Sequence, residues 1–251
     1  MNNSCVVRAH GAGLFSNINK VITCMEMYWN VRVDWSNPDN FYKVPEGHDQ
    51  NLWNHLFEPI GQVLDEPTDD IINYPHQRYT YKEAHALYQA GDDWRHELNK
   101  HWKKLQIKSQ VADRSLNLSG TTIGVLVRSS AIAGEQISDR NASLDEYVRA
   151  TKKLIDQNDS KRPRIYAACS DHESSMRFVK EFSATIHPWT RRAENRSIDF
   201  HAQHPQNVND AINCVGEVLT LSRCDFLIHQ VSNMATAALY INPSLTSVYL
   251  Q

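Results

Sequence analysis

Residues 121–128 read Thr121-Thr122-Ile123-Gly124-Val125-Leu126-Val127-Arg128. An unbroken apolar run of this length after a turn is the pattern of a strand buried on both faces, which parallel sheets covered by helices produce. The turn is Asn117-Leu118-Ser119-Gly120. The run closes on an arginine. Ligands of open parallel sheets bind at the carboxyl ends of strands, so Arg128 stands where a planar guanidinium can grip a diphosphate. A structural salt bridge is the other reading of the same residue.

Strands and helices alternate downstream of this segment. A polar loop runs to Ser143, which forms a capping box with Glu146 and opens a helix. Residues 164–169 form the next strand, and Ser170 with Glu173 repeats the capping pattern before a helix that ends at Phe182. Residues 184–186 are strand-like, 208–221 helical and 225–229 a strand. Ser232-Asn233 opens a last helix through Tyr240, and 244–250 is the closing strand.

The amino-terminal part follows the same plan. Residues 5–9 form a strand, His10-Gly11-Ala12-Gly13 a turn, 15–28 a helix and 30–35 a second strand. A polar excursion over 36–50 precedes a short amphipathic piece, 52–57, that stops before Pro59. Residues 81–105 predict a long helical tract interrupted near Gly91-Asp92-Asp93. Its Trp94, His96, Lys100, Trp102, Lys103 and Lys104 suit either a polyanion surface or a solvated helix anchored by tryptophans, and the second is expected. The chain is thus an α/β protein with an amino-terminal unit over 1–119 and a carboxyl-terminal unit over 120–251.

Bulk properties exclude several classes. The 251 residues are 41% hydrophobic and carry a formal net charge of -3, so no overall basic field points to nucleic acid. No apolar run reaches the ~18–20 residues that span a bilayer, and Met1-Asn2-Asn3-Ser4 has no signal-peptide character, so a cytoplasmic protein is expected. The five cysteines have no C-x-x-C spacing and read as buried free thiols of a reducing compartment. The 12 histidines lack metal-ligand spacing, Asp69-Asp70 and Asp92-Asp93 read as solvated pairs, and no metal or cofactor is expected.

Other candidate site residues sit at strand-to-helix junctions. The loop carrying Gly11, Gly13 and Leu14 precedes a helix, whose amides can face an anion; a tight turn is the alternative. Ser232 and Asn233 are good helix caps and can equally present donors to phosphate. Glu217 lies in an apolar tract and is either functional or an exposed helix position.

Taken in order, these segments resemble the superfamily of core fucosyltransferases of N-glycan processing and rhizobial nodulation fucosyltransferases. The likeness covers nearly the whole chain. His10-Gly11-Ala12-Gly13-Leu14 with Val31-Arg32-Val33-Asp34-Trp35 is similar to the family's first glycine loop and second strand, and Trp53, Phe57 and Pro59 to a Trp-x-x-x-Phe-x-Pro segment. Ile123-Gly124-Val125-Leu126-Val127-Arg128 resembles Ile-Gly-Val-His-Val-Arg. Ile165-Tyr166-Ala167-Ala168-Cys169-Ser170-Asp171 resembles the next strand and acidic turn. Leu221-Ser222-Arg223-Cys224-Asp225-Phe226-Leu227-Ile228 with Ser232-Asn233 resembles the late strand and its Ser-Ser turn.

The resemblance implies a GT-B fold of two Rossmann-like parallel-sheet domains facing a cleft, acceptor side first and donor side second. It implies an inverting, metal-independent glycosyl transfer from a nucleotide-diphosphate sugar, GDP-fucose by default, to a saccharide or glycoconjugate. Arg128 would bind the β-phosphate, Gly11, Gly13 and Leu14 would offer backbone contacts, and Ser232 or Asn233 would complete the diphosphate site. Asp171 falls on the acidic turn, and Glu217 where an aspartate helps bind guanine. Leu126, Ser129, Ala131 and Ile132 replace the family's histidine, second arginine and Asp-Lys pair. Two alternatives therefore stand beside GDP-fucose transfer: another nucleotide sugar, or a binding protein without turnover. A carboxylate after Arg128 is the expected base, Glu135 first and Asp139 next.

Overall fold

The computed structural model describes residues 4–9, 11, 13–36, 42–60, 69–71, 87–88, 91–128, 142–194 and 206–250. Its amino-terminal elements are β1 (Ser4–Arg8), α1 (Leu14–Met27), β2 (Asn30–Asp34), β3 (Tyr42–Lys43), α2 (Trp53–Leu56), β4 (Asp69–Ile71), α3 (Asp93–Trp102) and α4 (Ser109–Ala112). There follow β5 (Thr122–Val127), α5 (Leu144–Gln157), β6 (Arg164–Cys169), α6 (His172–Phe182), β7 (Thr185–Ile186), β8 (Gln206–Asn207), α7 (Val208–Ser222), β9 (Phe226–His229), α8 (Asn233–Ile241) and β10 (Thr246–Tyr249).

All strand pairings between these elements are parallel. One sheet has the order β2-β1-β4, with Cys5 opposite Val31 and Asp69. The other has the order β10-β9-β5-β6-β7, with Leu126 opposite Ala168 on one side and His229 on the other. A short β3-β8 pair ties residue 42 to residue 206. This is the expected α/β architecture. β4 and the β3-β8 pair escape the sequence because such short strands, built on Asp69-Asp70 and Gln206-Asn207, lack the pair of β-branched residues that marks the equally short β7.

Two apolar clusters explain why 121–128 shows no alternation. Ile123, Val125 and Val127 of β5 join Tyr147, Val148 and Phe178 of α5 and α6 on one face of the larger sheet. Leu126, one step out of phase, joins a bigger cluster on the other face with Ile18 of α1, Val215 and Val218 of α7, and Ala235 and Leu239 of α8. Each face is dry, so both sets must be apolar. The bigger cluster draws on both sides of residue 120, packing α1 and α3 against α8. Gly124 lets the end of α7 approach β5 closely: a Cβ there would meet Cys224 Sγ at 3.1 Å and Leu221 Cδ2 at 3.2 Å.

Local signals place most helix ends. Ser143 and Glu146 form the predicted capping box at α5. Gly91, at φ +86°, turns the chain before α3, and Trp94 and Trp102 anchor that helix while Lys100 stays exposed. The Ser170–Glu173 cap is corrected. Asp171 caps α6, its carboxylate accepting from the Ser174 amide at 2.7 Å. An aspartate at this position outcompetes the preceding serine because a charged acceptor strengthens the bond. Trp53 and Phe57 of the Trp-x-x-x-Phe-x-Pro segment stack at 4.3 Å in the core. All five cysteines are free thiols, four buried and Cys214 half-buried. Among the described residues no helix is long and apolar enough to cross a membrane.

Candidate functional site

Because β5, β6 and β9 run parallel, their carboxyl ends deliver Arg128, Ser170-Asp171 and Gln230-Val231-Ser232 to one edge of the sheet. Arg128 reaches along this edge, and its Nη1 donates to the Val231 carbonyl at 3.4 Å. One residue on, Ser232 caps α8, its Oγ accepting from the Met234 amide at 3.2 Å. The Ser232 carbonyl accepts from the Thr236 amide at 2.9 Å and from the Tyr88 hydroxyl at 3.1 Å. With the Thr236 hydroxyl, which also donates to that carbonyl at 3.1 Å, four donors converge on two oxygens of this turn.

The same turn is tied to α1. Asn19 Nδ2 lies 3.2 Å from the Asn233 carbonyl and 3.3 Å from its Oδ1, while Asn19 Oδ1 accepts from the buried Tyr240 hydroxyl at 3.0 Å. Asn19 lies in the second turn of α1, whose N-cap is Gly13. Gly13 supplies no side-chain cap, and open space surrounds the position its Cβ would occupy. Its φ of -59° is one any residue adopts, so only the open approach to the backbone distinguishes it. Gly11 is exposed, and Leu14 is buried, leaving only its backbone for contact. The structure therefore brings Arg128, Ser232, Asn233 and Asn19 of α1 along one connected seam.

Two predicted donor residues have other partners. Asp171 is fully buried, and beyond the Ser174 amide its second oxygen accepts from the Ser174 hydroxyl at 2.9 Å. Its carboxylate is spent on the start of α6. Glu217 is not an exposed helix position; it is buried beside Arg192 Nη2 at 3.3 Å, the two side chains 6% and 8% exposed. Burial pushes its carboxyl up to about 7, with the Arg192 charge and a Thr190 hydrogen bond pulling the other way. Glu135 and Asp139 lie outside the described residues.

Sequence reasoning missed Arg192. Its Nη1 donates to the carbonyls of His187 at 3.1 Å and Thr190 at 2.8 Å, so the guanidinium organises the loop after β7. That loop docks on the carboxyl end of β6, where the His172 amide donates to the Ala193 carbonyl at 2.7 Å. A depression of about 340 Å3 lined by His172, Thr190, Arg192, Ala193 and Glu194 opens there. Lys20 was missed as well. It is a buried lysine in the apolar stripe of α1, donating to the Arg8 carbonyl at the end of β1, and burial lowers it to about 8. A lone cation in an apolar helical pattern was the available signal. Among the described residues no group of three or more His, Cys, Asp or Glu side chains converges as a metal site would.

No protein-family model matches the chain, and no curated protein matches it by sequence. Solved structures do. The chain superposes on an α-1,6-fucosyltransferase, NodZ, co-crystallised with GDP, at a TM-score of 0.59 over 98% of this chain and 93% of the other. The fold is that of NodZ. Sequence identity over that match is 14%. NodZ soaked with GDP-fucose gives a TM-score of 0.56 and 13% identity over 97% of this chain and 94% of that one. NodZ from Bradyrhizobium gives 0.51 and 13% over 98% and 94%. Similarity to NodZ along both chains makes the architecture GT-B-like, as the ordered motifs implied.

Proposed function

We propose that this protein is a glycosyltransferase that takes its sugar from a nucleotide diphosphate, GDP-fucose by default, and passes it to a saccharide or glycoconjugate hydroxyl. The observation that carries the reading is Arg128, held at the carboxyl edge of a buried parallel strand against the turn that starts α8. NodZ, which shares the fold, has been crystallised with GDP and with GDP-fucose, and this supports a GDP-linked donor.

On this reading residues 120–251 bind the donor and residues 1–119 face the acceptor. Arg128 pairs with the β-phosphate. Ser232 keeps a hydroxyl hydrogen to donate, Asn233 adds its amide, and the backbone of Gly11, Gly13 and Leu14 approaches from the other side. The acceptor oxygen attacks the anomeric carbon from the face opposite the diphosphate, inverting it. The bond to the β-phosphate oxygen breaks, and the acceptor proton passes to Glu135 or Asp139. Arg128 and the helix starts take up the leaving charge without a metal ion. Asp171 and Glu217 act on the donor region indirectly, Asp171 by fixing the start of α6 and Glu217 by holding Arg192.

The test is a thermal-shift panel of GDP, UDP, ADP, CMP and their sugar conjugates, followed by transfer assays on Arg128→Ala. A donor at 100 times its Kd adds about 2.7 kcal/mol to stability. The arginine variant should lose turnover about a hundredfold to a thousandfold with an unchanged circular dichroism spectrum. Undiminished transfer in the variant would remove Arg128 from the mechanism. Selective nucleotide binding without turnover would favour the binding-protein alternative.

A further inference from the structure

We propose a second saccharide-binding site at the far end of α1, built on Trp29. The choice of ligand class rests on the glycosyl-transfer reading above. α1 has 14 residues. At about 1.5 Å per residue it separates its two ends by about 20 Å. The glycine loop precedes its start, and Trp29 follows its last turn.

Trp29 is 93% exposed. The other tryptophans behave differently. Trp35, Trp53, Trp94 and Trp102 are buried, and Trp189 at 42% lies under the Arg114 guanidinium at 4.8 Å. An indole left almost wholly in water forgoes the large apolar gain of burial, and beside a pocket it offers a ligand a flat apolar face.

Beside it lies a depression of about 330 Å3 with Asn30, Glu58, Pro59, Lys104 and Gln106 on its walls. Its floor is rigid. The Glu58 amide donates to the Gln106 carbonyl at 2.8 Å, Trp53 Nε1 donates to the Glu58 carbonyl at 3.4 Å, and Phe57 pairs with Ile107 in an antiparallel bridge. The volume is within the range of small-molecule pockets.

The chemistry selects a neutral sugar. A pyranose has one face of C–H bonds, which packs on an indole, and a rim of hydroxyls that both donate and accept. Asn30 and Gln106 offer amides that do both, Glu58 accepts and Lys104 donates. One carboxylate and one ammonium leave the pocket without a net charge to attract an ion. A site at the opposite end of α1 from the glycine loop would hold a distal part of an extended acceptor.

The test uses a glycan array of neutral di- to tetrasaccharides of glucose, galactose, mannose and N-acetylglucosamine. The best binder is then titrated by isothermal titration calorimetry against wild type, Trp29→Ala, Trp29→Phe and Trp189→Ala, with GDP titrated on the same samples. Affinity should fall about tenfold or more in Trp29→Ala, less in Trp29→Phe, and stay level in Trp189→Ala. GDP affinity should be the same in all four. The inference is overturned if no glycan binds, if Trp29→Ala binds as wild type does, or if Trp189→Ala loses as much. It also falls if wild type sediments as a dimer and Trp29→Ala as a monomer, which would assign the face to self-association. GDP binding without glycan binding sinks this inference alone. Glycan binding that depends on Trp29, in a protein that neither binds a nucleotide nor transfers a sugar, sinks only the proposed function.

Discussion

Replacing Glu217 by glutamine separates two opposite readings of its ion pair with Arg192. If attraction dominates, ionising the carboxylate stabilises the fold. If burial dominates, ionising it costs stability, and that is the balance here: the carboxyl is raised from 4.5 to about 7, with desolvation the largest cause. A folded-state value above the unfolded one means the native protein holds the proton more tightly. The associated stability is complete below about pH 4.5 and is lost as pH rises through about 7. The whole span corresponds to about 3 kcal/mol, of which about 2.5 falls between pH 5 and pH 8.

Glutamine keeps the shape and does not titrate. Urea unfolding of wild type and Glu217→Gln at pH 5, 6, 7 and 8 therefore isolates this one group, since all other titrations occur in both proteins and cancel. Wild type should lose about 2.5 kcal/mol relative to the variant across the series. The absolute offset depends on how far the variant leaves the Arg192 charge uncompensated, a cost of about 3–5 kcal/mol when a buried pair is broken, but the slope does not depend on it. Parallel stabilities at all four pH values, or wild type gaining on the variant as pH rises, would refute the argument from burial.

Gly216→Ala sets helix propensity against packing. Alanine gains about 1 kcal/mol in a helix interior. The new Cβ, however, would lie 2.6 Å from Arg114 Cβ and 2.9 Å from Arg114 backbone atoms. Backbone cannot yield cheaply, so a net loss of about 1–3 kcal/mol in chemical denaturation is expected, and a stabilised variant would show the α4–α7 contact to be looser than described. Asp171→Ala should cost about 2 kcal/mol, because it removes a cap and leaves the buried Ser174 hydroxyl without its acceptor. Nucleotide affinity should survive that change, and its loss would return Asp171 to the donor site. His229 is buried, with Nδ1 2.9 Å from the Gln230 carbonyl and Nε2 2.7 Å from Ser247 Oγ, which makes Nδ1 the protonated nitrogen of a neutral ring. Burial lowers it from 6.5 to about 4, so its contribution is present above about pH 6.5 and lost as pH falls through about 4. His229→Gln should flatten acid unfolding over that range, and an unchanged acid limb would contradict the assignment.

What residue order determines unaided is local. A fully apolar run specifies a strand buried on both faces, Ser143 three residues before Glu146 specifies a helix start, and Gly91 supplies the positive φ at which the chain turns before α3. These signals act over a few residues through backbone geometry and side-chain periodicity, so they survive without knowledge of the fold. They place Arg128 at a strand end and Ser232 at a helix cap. The partners of those groups are decided elsewhere. Asn19 meets Asn233 across 214 residues and Arg192 meets Glu217 across 25. Whether Glu217 is buried, and whether Asp171 faces a ligand or its own helix, depends on where the loop after β7 and the body of α6 come to rest. Desolvation and pairing act through space, and a linear sequence does not carry the distances that set their size.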